Sequence, residues 1–223
     1  MSVTIKAATD NSTAEFNHRT AADGTDYEIK ISQEEEAFDW NQLFSNSHPV
    51  EIEIGCGRGM FIIKSALENP EINFLGIEKS ARFFRMFKER VVKSGAHNIR
   101  IMRTEAAYLM KKFVPANSVK AVHVYFPDPW PKKRHRKRRL VNGSFFESVT
   151  RILLPDGCFF IATDFQDYFD EIVTIAPSCH GLTRASNEEL SQQDADPDSA
   201  ATAYERKYLI QGRVIYRAVY KKI

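Results

Sequence analysis

Residues 50–59 read Val50-Glu-Ile-Glu53-Ile-Gly55-Cys56-Gly57-Arg58-Gly59, a short apolar-rich strand that runs into three glycines spaced two apart. Glycine lets a backbone come close to a ligand, as the carboxyl end of a parallel strand requires where it turns into a helix. Met60 to Leu67 then carries helical spacing until Asn69-Pro70 stops it. The unit recurs downstream. Ile72 to Ile77 reads as a second strand, followed by a helix that Ser80 caps, that carries Phe83, Phe84, Phe87, Val91 and Val92, and that Gly95 ends. Asn98 to Met102 is a third strand, Ala106 to Phe113 a short helix and Val119 to Tyr125 a fourth strand. Gly143 to Leu153 predicts a helix closed by Pro155-Asp156-Gly157, before a fifth strand over Cys158 to Thr163 and a helix over Tyr168 to Ala176. Thr202 to Ile210 can form a last helix, and the alternation of Arg213 to Tyr220 suits a final edge strand. Strands alternating with helices at this interval predict a parallel sheet covered on both faces.

The 223 residues suit one domain with a two-sided core. Residues 1–36 are polar and read as a mobile arm, residues 37–223 as the domain, and residues 185–201 as a mobile loop within it. Trp40, at the entry to the domain, reads as a packing anchor. No apolar run approaches the roughly 20 residues of a membrane span, and the N-terminus lacks the pattern of a secretory signal, so a cytoplasmic protein is expected. Cys56, Cys158 and Cys179 are odd in number and in no metal-ligand pattern, which predicts neither a disulfide framework nor a metal site.

The net charge is +2, yet Lys132, Lys133, Arg134, Arg136, Lys137, Arg138 and Arg139 alone supply +7, leaving 2 − 7 = −5 for everything else. A concentrated patch on an acidic body predicts a positioned polyanion site, against the plainer readings of a solvated loop or a localisation signal. It directly follows Phe126-Pro127-Asp128-Pro129-Trp130-Pro131, so a carboxylate and an aromatic plane sit beside the basic block. That combination can grip a nucleotide of RNA and act on its base.

The glycine turn is specific about its ligand. The dinucleotide fingerprint needs a third glycine at position 60, where this chain has Met60. A tight Gly55-Gly57-Gly59 turn with Glu53 two residues ahead of it suits an adenosyl group bearing an amino acid better than one bearing pyrophosphate. Glu78 ends the second strand about twenty residues beyond the glycines, where a carboxylate can accept both hydroxyls of a ribose. Glu105, past the third strand, offers an acceptor near the adenine end. Met60 and the lack of a hydride-relay residue argue against a nicotinamide oxidoreductase, while a module that binds RNA without catalysis stays open.

These residues together resemble the class I methyltransferase fold, which binds S-adenosylmethionine. With EIGCGRG, GIE, FPDPWPKKRHRKRR, ATDF and a terminal TAYERKYLIQG, residues 38–220 resemble the tRNA (guanine-N7)-methyltransferase family. The resemblance implies an α/β, Rossmann-like fold: a mainly parallel seven-stranded sheet with helices on both faces and an antiparallel terminal strand. It also implies S-adenosylmethionine as cofactor, and tRNA, with no DNA or membrane, as partner. The variable-loop guanosine at position 46 is the implied target. A monomer or homodimer without an obligatory partner subunit is expected. Carried residue by residue, Glu53, Glu78 and Glu105 match the family's cofactor-contacting acids, Glu105 standing where many members have Asp. Asp128 matches the cofactor-adjacent acid assigned as catalytic, and is expected among the cofactor-binding residues with Glu53, Gly55, Gly57, Gly59, Glu78 and Glu105. Lys132 and Asp164 match substrate-contacting positions, and Thr202, Ala203, Tyr204 and Glu205 match the terminal T-x-[YF]-E motif, with Ala203 a departure where Lys or Glu is common.

The chemistry asks little of a base. Guanine N7 already holds an in-plane lone pair, so catalysis rests on aligning N7, methyl carbon and sulfur. Asp128 can orient the purine by accepting from its N1–H and N2–H donors, or can stabilise the positive charge that the purine gains. Adenine lacks that pair of donors, which supplies selectivity. Either Asp128 or Asp164 can meet the Watson–Crick edge. Trp130 can stack on a base or stiffen the loop between its two prolines.

Overall fold

A computed structural model describes residues 5–6, 13–14, 27–30, 37–185 and 202–223. The chain divides into two compact units, Met1–Pro115 and Ala116–Ile223. The first unit holds α1 (Trp40–Phe44), β1 (Val50–Ile54), α2 (Met60–Glu68), β2 (Asn73–Ile77), α3 (Ala81–Ser94), β3 (Ile99–Met102) and α4 (Ala106–Lys112). The second holds β4 (Val119–Tyr125), a 3-10 turn over Lys133–Arg138, α5 (Gly143–Ile152), β5 (Leu153–Thr163), α6 (Gln166–Ile175), β6 (Leu182–Arg184), α7 (Ala203–Ile210) and β7 (Tyr216–Lys222). The seven strands form a mixed, mostly parallel sheet, the Rossmann-like arrangement expected.

In the first unit the strands lie in the order β3-β2-β1, all parallel, with Val50 opposite Asn73 and Phe74 opposite Ile99. Both faces of β2 are buried, as a sheet covered by helices requires. The amphipathic α3 lays Phe84, Phe87 and Val91 on that sheet, and full burial of an aromatic such as Phe87 contributes about 1.5–3 kcal/mol. Its ends are those the sequence predicts: Ser80 Oγ accepts from Phe83 N at 3.4 Å, and Gly95 terminates it at φ 71°. Trp40 packs between Phe38 and Phe44. Within the segment read as an arm, residues 27–30 are ordered along β3: Ile29 N donates to Ile101 O at 2.9 Å, Ile101 N donates to Tyr27 O at 2.7 Å, and both side chains are buried. Residues 5–6 and 13–14 of the same segment pair as a separate antiparallel two-stranded sheet. The remainder of that segment and nearly all of the 185–201 loop lie outside the described residues.

In the second unit β4 and β5 are parallel, and β7 runs antiparallel between β5 and β6. Two expectations are corrected. The 213–220 segment is not an edge strand: Leu182–Arg184 pairs along its outer side, a strand of three residues too short to register as a sequence periodicity. Nor does Pro155-Asp156-Gly157 delay the fifth strand to Cys158. Pairing begins at Leu153 opposite Val119 and resumes at Ala121 opposite Cys158, so the turn residues are absorbed as a bulge. Gly157 makes this possible, because a Cβ there would stand 2.8 Å from Leu154 O.

Candidate active site

The carboxyl ends of β1 and β2 meet in one hydrogen-bonded knot. Gly55 N and Cys56 N both donate to Ile77 O, at 2.8 and 3.2 Å, which bends the glycine turn over the end of β2. Glu78 completes it: one carboxylate oxygen accepts from Gly57 N at 2.9 Å and the other from Ser80 N at 2.7 Å. Glu78 is thus held in place by backbone amides while each oxygen retains acceptor capacity.

Glu53 is different. It is buried, and its Oε2 has no hydrogen-bond partner among the described residues. Burial pushes its carboxyl up from 4.5 to about 8, with the nearby Glu78 charge adding to the rise and hydrogen bonding from Cys56 and Ile62 opposing it. The three glycines divide in role. Gly55 and Gly57 have φ of 78° and 55°, and no atom stands closer than 4.0 Å to where a Cβ would be. At Gly59 a Cβ would fall 2.1 Å from the Phe87 ring, so its missing side chain serves the packing of α2 on α3. Glu105, expected near the adenine end, occupies the N-cap position of α4 without a side-chain capping bond and is exposed, 3.6 Å from Lys79 Nζ. An open glycine cradle with a buried carboxyl that has one unpartnered oxygen and a fixed second carboxylate fits S-adenosylmethionine, whose amino-acid and ribose ends need acceptors.

In the second unit β4 leads into the 126–131 loop. Phe126 N donates to Ala162 O at 2.7 Å, and Phe126 turns at φ 51°, its ring edge-on to Tyr208. Asp128 follows, exposed and without a hydrogen bond or ion pair among the described residues. Trp130 takes φ 43°, a conformation that a bulky residue adopts only under surrounding constraint. Arg138 lies over its ring at 5.0 Å and His135 meets it edge-on at 5.8 Å, so the loop's own basic block contacts the aromatic plane. Lys132 precedes the 3-10 turn, exposed.

Not all of the block faces solvent. Arg136 pairs with Asp167 at 2.8 Å, and the Arg139 side chain is fully buried among Asp167, Glu171 and Pro129 O. Asp164, one residue past β5, is tied to Arg213 Nη1 at 2.7 Å, and that guanidinium lies over Tyr208 at 4.7 Å. Thr202 caps α7, its Oγ1 accepting from Glu205 N at 3.0 Å, and buried Glu205 pairs with Arg217. Ala203 and Tyr204 form the first turn of α7, and their side chains lie outside the described residues. Arg213 and Arg217 escape a sequence reading because nothing in local spacing pairs them with Asp164 or Glu205. The Arg139 contacts had a faint signal in Asp167 and Glu171, acids four apart on one helix face.

Residues 47–218 match a family profile described as "Putative methyltransferase". A tRNA (guanine-N(7)-)-methyltransferase of Geobacter metallireducens is 35% identical over 82% of this chain and 87% of its own length. Its counterpart in Streptococcus equi subsp. zooepidemicus is 37% identical over 80% of this chain and 83% of its own. Among solved structures, a precorrin-6y C5,15-methyltransferase from Geobacter metallireducens superposes with a TM-score of 0.53 at 13% identity, covering 79% of this chain and 82% of that one, a likeness of fold alone.

Proposed function

We propose, from the premise that this chain belongs to the tRNA (guanine-N7-)-methyltransferase family, that its target is the variable-loop guanosine at position 46 and that Asp128 is the carboxylate facing the reacting base. The chain transfers a methyl group to N7 of guanine in tRNA. S-adenosylmethionine supplies the electrophilic methyl carbon. In this reading Glu53, Gly55 and Gly57 receive the amino-acid end of the cofactor, Glu78 its ribose hydroxyls and Glu105 the adenine side, while Gly59 acts through packing.

The observation that carries the assignment of Asp128 is its freedom. Asp164 is already 2.7 Å from Arg213, whereas Asp128 is exposed without a partner among the described residues and stands at the end of a parallel strand, where such sheets bind their ligands. A carboxylate so placed accepts from guanine N1–H and N2–H, holds N7 in line with the methyl carbon and offsets the positive charge the purine gains. No proton need leave N7, so the residue works as an orienting acceptor. Asp164, braced by Arg213, and the first turn of α7, braced by Thr202 and Glu205, contact the flanking nucleotide. Lys132 and the solvent-facing cations of the block neutralise phosphates.

Residues 37–223 act as one cytoplasmic methyltransferase domain that requires no second subunit. Incubation with methyl-labelled S-adenosylmethionine and a defined tRNA tests the reading: label recovered as 7-methylguanosine at the variable loop supports it, and binding without transfer identifies an RNA-binding module instead.

A further inference from the structure

The last cation of the basic block is turned inward. Arg139 has a side chain with 0% exposure. Its Nε donates to the carbonyl of Pro129 at 2.9 Å, Nη2 donates to Asp167 Oδ2 at 2.6 Å and Nη1 donates to Glu171. The guanidinium plane lies over Tyr168, 4.7 Å from the ring centre. Its own backbone is anchored as well: its N–H donates to Arg136 O at 2.9 Å, and its carbonyl accepts from Asn142, the cap of α5. Val141 N donates to the Tyr168 hydroxyl at 2.8 Å, so the segment is fastened to α6 on both sides of the guanidinium.

Pro129 is the residue between Asp128 and Trp130. Proline fixes φ at 127, 129 and 131, so little freedom remains in this loop beyond the rotation of the peptide planes around Asp128 and Trp130. The Arg139 Nε bond holds one of those planes, the 129–130 peptide, and Trp130 leaves it at φ 43°. Asp128 makes no side-chain hydrogen bond or ion pair among the described residues, and Pro129 alone separates it from that plane. We propose that Arg139 is a positioning residue for methyl transfer, a buried fork that pins the Pro129 carbonyl to α6 and thereby sets the Asp128 carboxylate. The inference rests on the reading of Asp128 as the guanine-facing acid. Arg139 is accordingly set apart from the phosphate-binding cations around it.

Arg139→Lys separates geometry from charge, since one ammonium can pair with Asp167 or Glu171 but cannot also span to Pro129 O. Displacement of a reacting group by about 1 Å can cost on the order of a hundredfold. The expected result is therefore a kcat lower by about tenfold or more, with KM for tRNA, Kd for S-adenosylmethionine and the salt dependence of tRNA binding all close to wild type. Unchanged kcat would overturn the proposal. So would a lower kcat accompanied by a raised KM, weakened cofactor binding and a lowered Tm, which marks a merely structural residue, and so would a shallower salt slope, which marks a phosphate contact. If Arg139→Lys fails to fold, Glu171→Gln tests the same fork from its partly exposed end: a lower kcat at constant KM supports the proposal, and an unchanged kcat overturns it. Asp128→Ala, assayed alongside, keeps the two claims apart. Full activity there removes the reading of Asp128, while an inactive Asp128→Ala with a normal Arg139→Lys removes only the role of Arg139.

Discussion

Glu53→Gln isolates the physical cost built into the proposed cofactor site. The carboxyl is buried with Oε2 unpartnered, and its folded pKa stands at about 8 against an ordinary 4.5. Between those values the folded chain holds a proton that the unfolded chain has lost. Stability attributable to this group is therefore complete below about pH 4.5 and declines as pH rises through about 8. Integrating that difference from about pH 6 to about pH 9 gives a loss on the order of 2–3 kcal/mol, at 1.36 kcal/mol for each pH unit of full proton difference. The glutamine isostere does not titrate and escapes this loss. Urea denaturation of cofactor-free wild type and Glu53→Gln at the two pH values should show their stability difference moving by that amount in favour of the variant at high pH. Calorimetry at about pH 9, where the wild-type carboxyl is ionised, should show the variant binding S-adenosylmethionine more weakly, by about tenfold, the loss of one charged hydrogen-bond acceptor. Parallel stability curves across the range would refute the assignment of a strained, buried carboxyl.

Two other perturbations read out separate parts of the site. Replacing Lys132, Arg134 and Arg138 together by Gln should weaken tRNA binding and reduce the log–log salt slope by roughly 2, about 0.7–0.9 for each phosphate that is no longer neutralised, with cofactor affinity unchanged in calorimetry; Arg136 is left out because it is paired with Asp167. Gly59→Ala drives a Cβ to within 2.1 Å of Phe87 and should lower stability by about 1–3 kcal/mol in urea melts, whereas Gly55→Ala, at φ 78° with open space around it, should cost about 1–2 kcal/mol in backbone strain and weaken S-adenosylmethionine binding beyond that stability loss.

The alternation of strands and helices was legible because each helix carries its own start and stop, such as Ser80 and Gly95 around α3. What escaped were features of long-range pairing. Leu182–Arg184 is three residues long, and only its register against Tyr220 and Lys222 makes it a strand and moves β7 inside the sheet. Tyr27 and Ile29 sit in a polar stretch, and their burial depends on β3, about seventy residues away in sequence. The glycine turn could be read from spacing, since the turn itself is local, and so could the place of Glu78 against it. Its division of labour could not: Gly59 differs from Gly55 only through Phe87. In the basic block, composition alone makes seven equivalent cations. Asp167 and Glu171, brought up by α6, convert Arg139 from a phosphate contact to an internal brace and occupy Arg136.

Methyl transfer to a defined tRNA transcript, with digestion to nucleosides and mapping of the labelled position, addresses the central claim most directly when wild type and Asp128→Ala are compared at equal cofactor occupancy. The predicted result is 7-methylguanosine at the variable-loop guanine with wild type and none with Asp128→Ala, whose Kd for S-adenosylmethionine stays within about threefold, as expected for a residue that acts on the aligned base and not on cofactor binding. Label at any other atom or position, or undiminished transfer by Asp128→Ala, would contradict it.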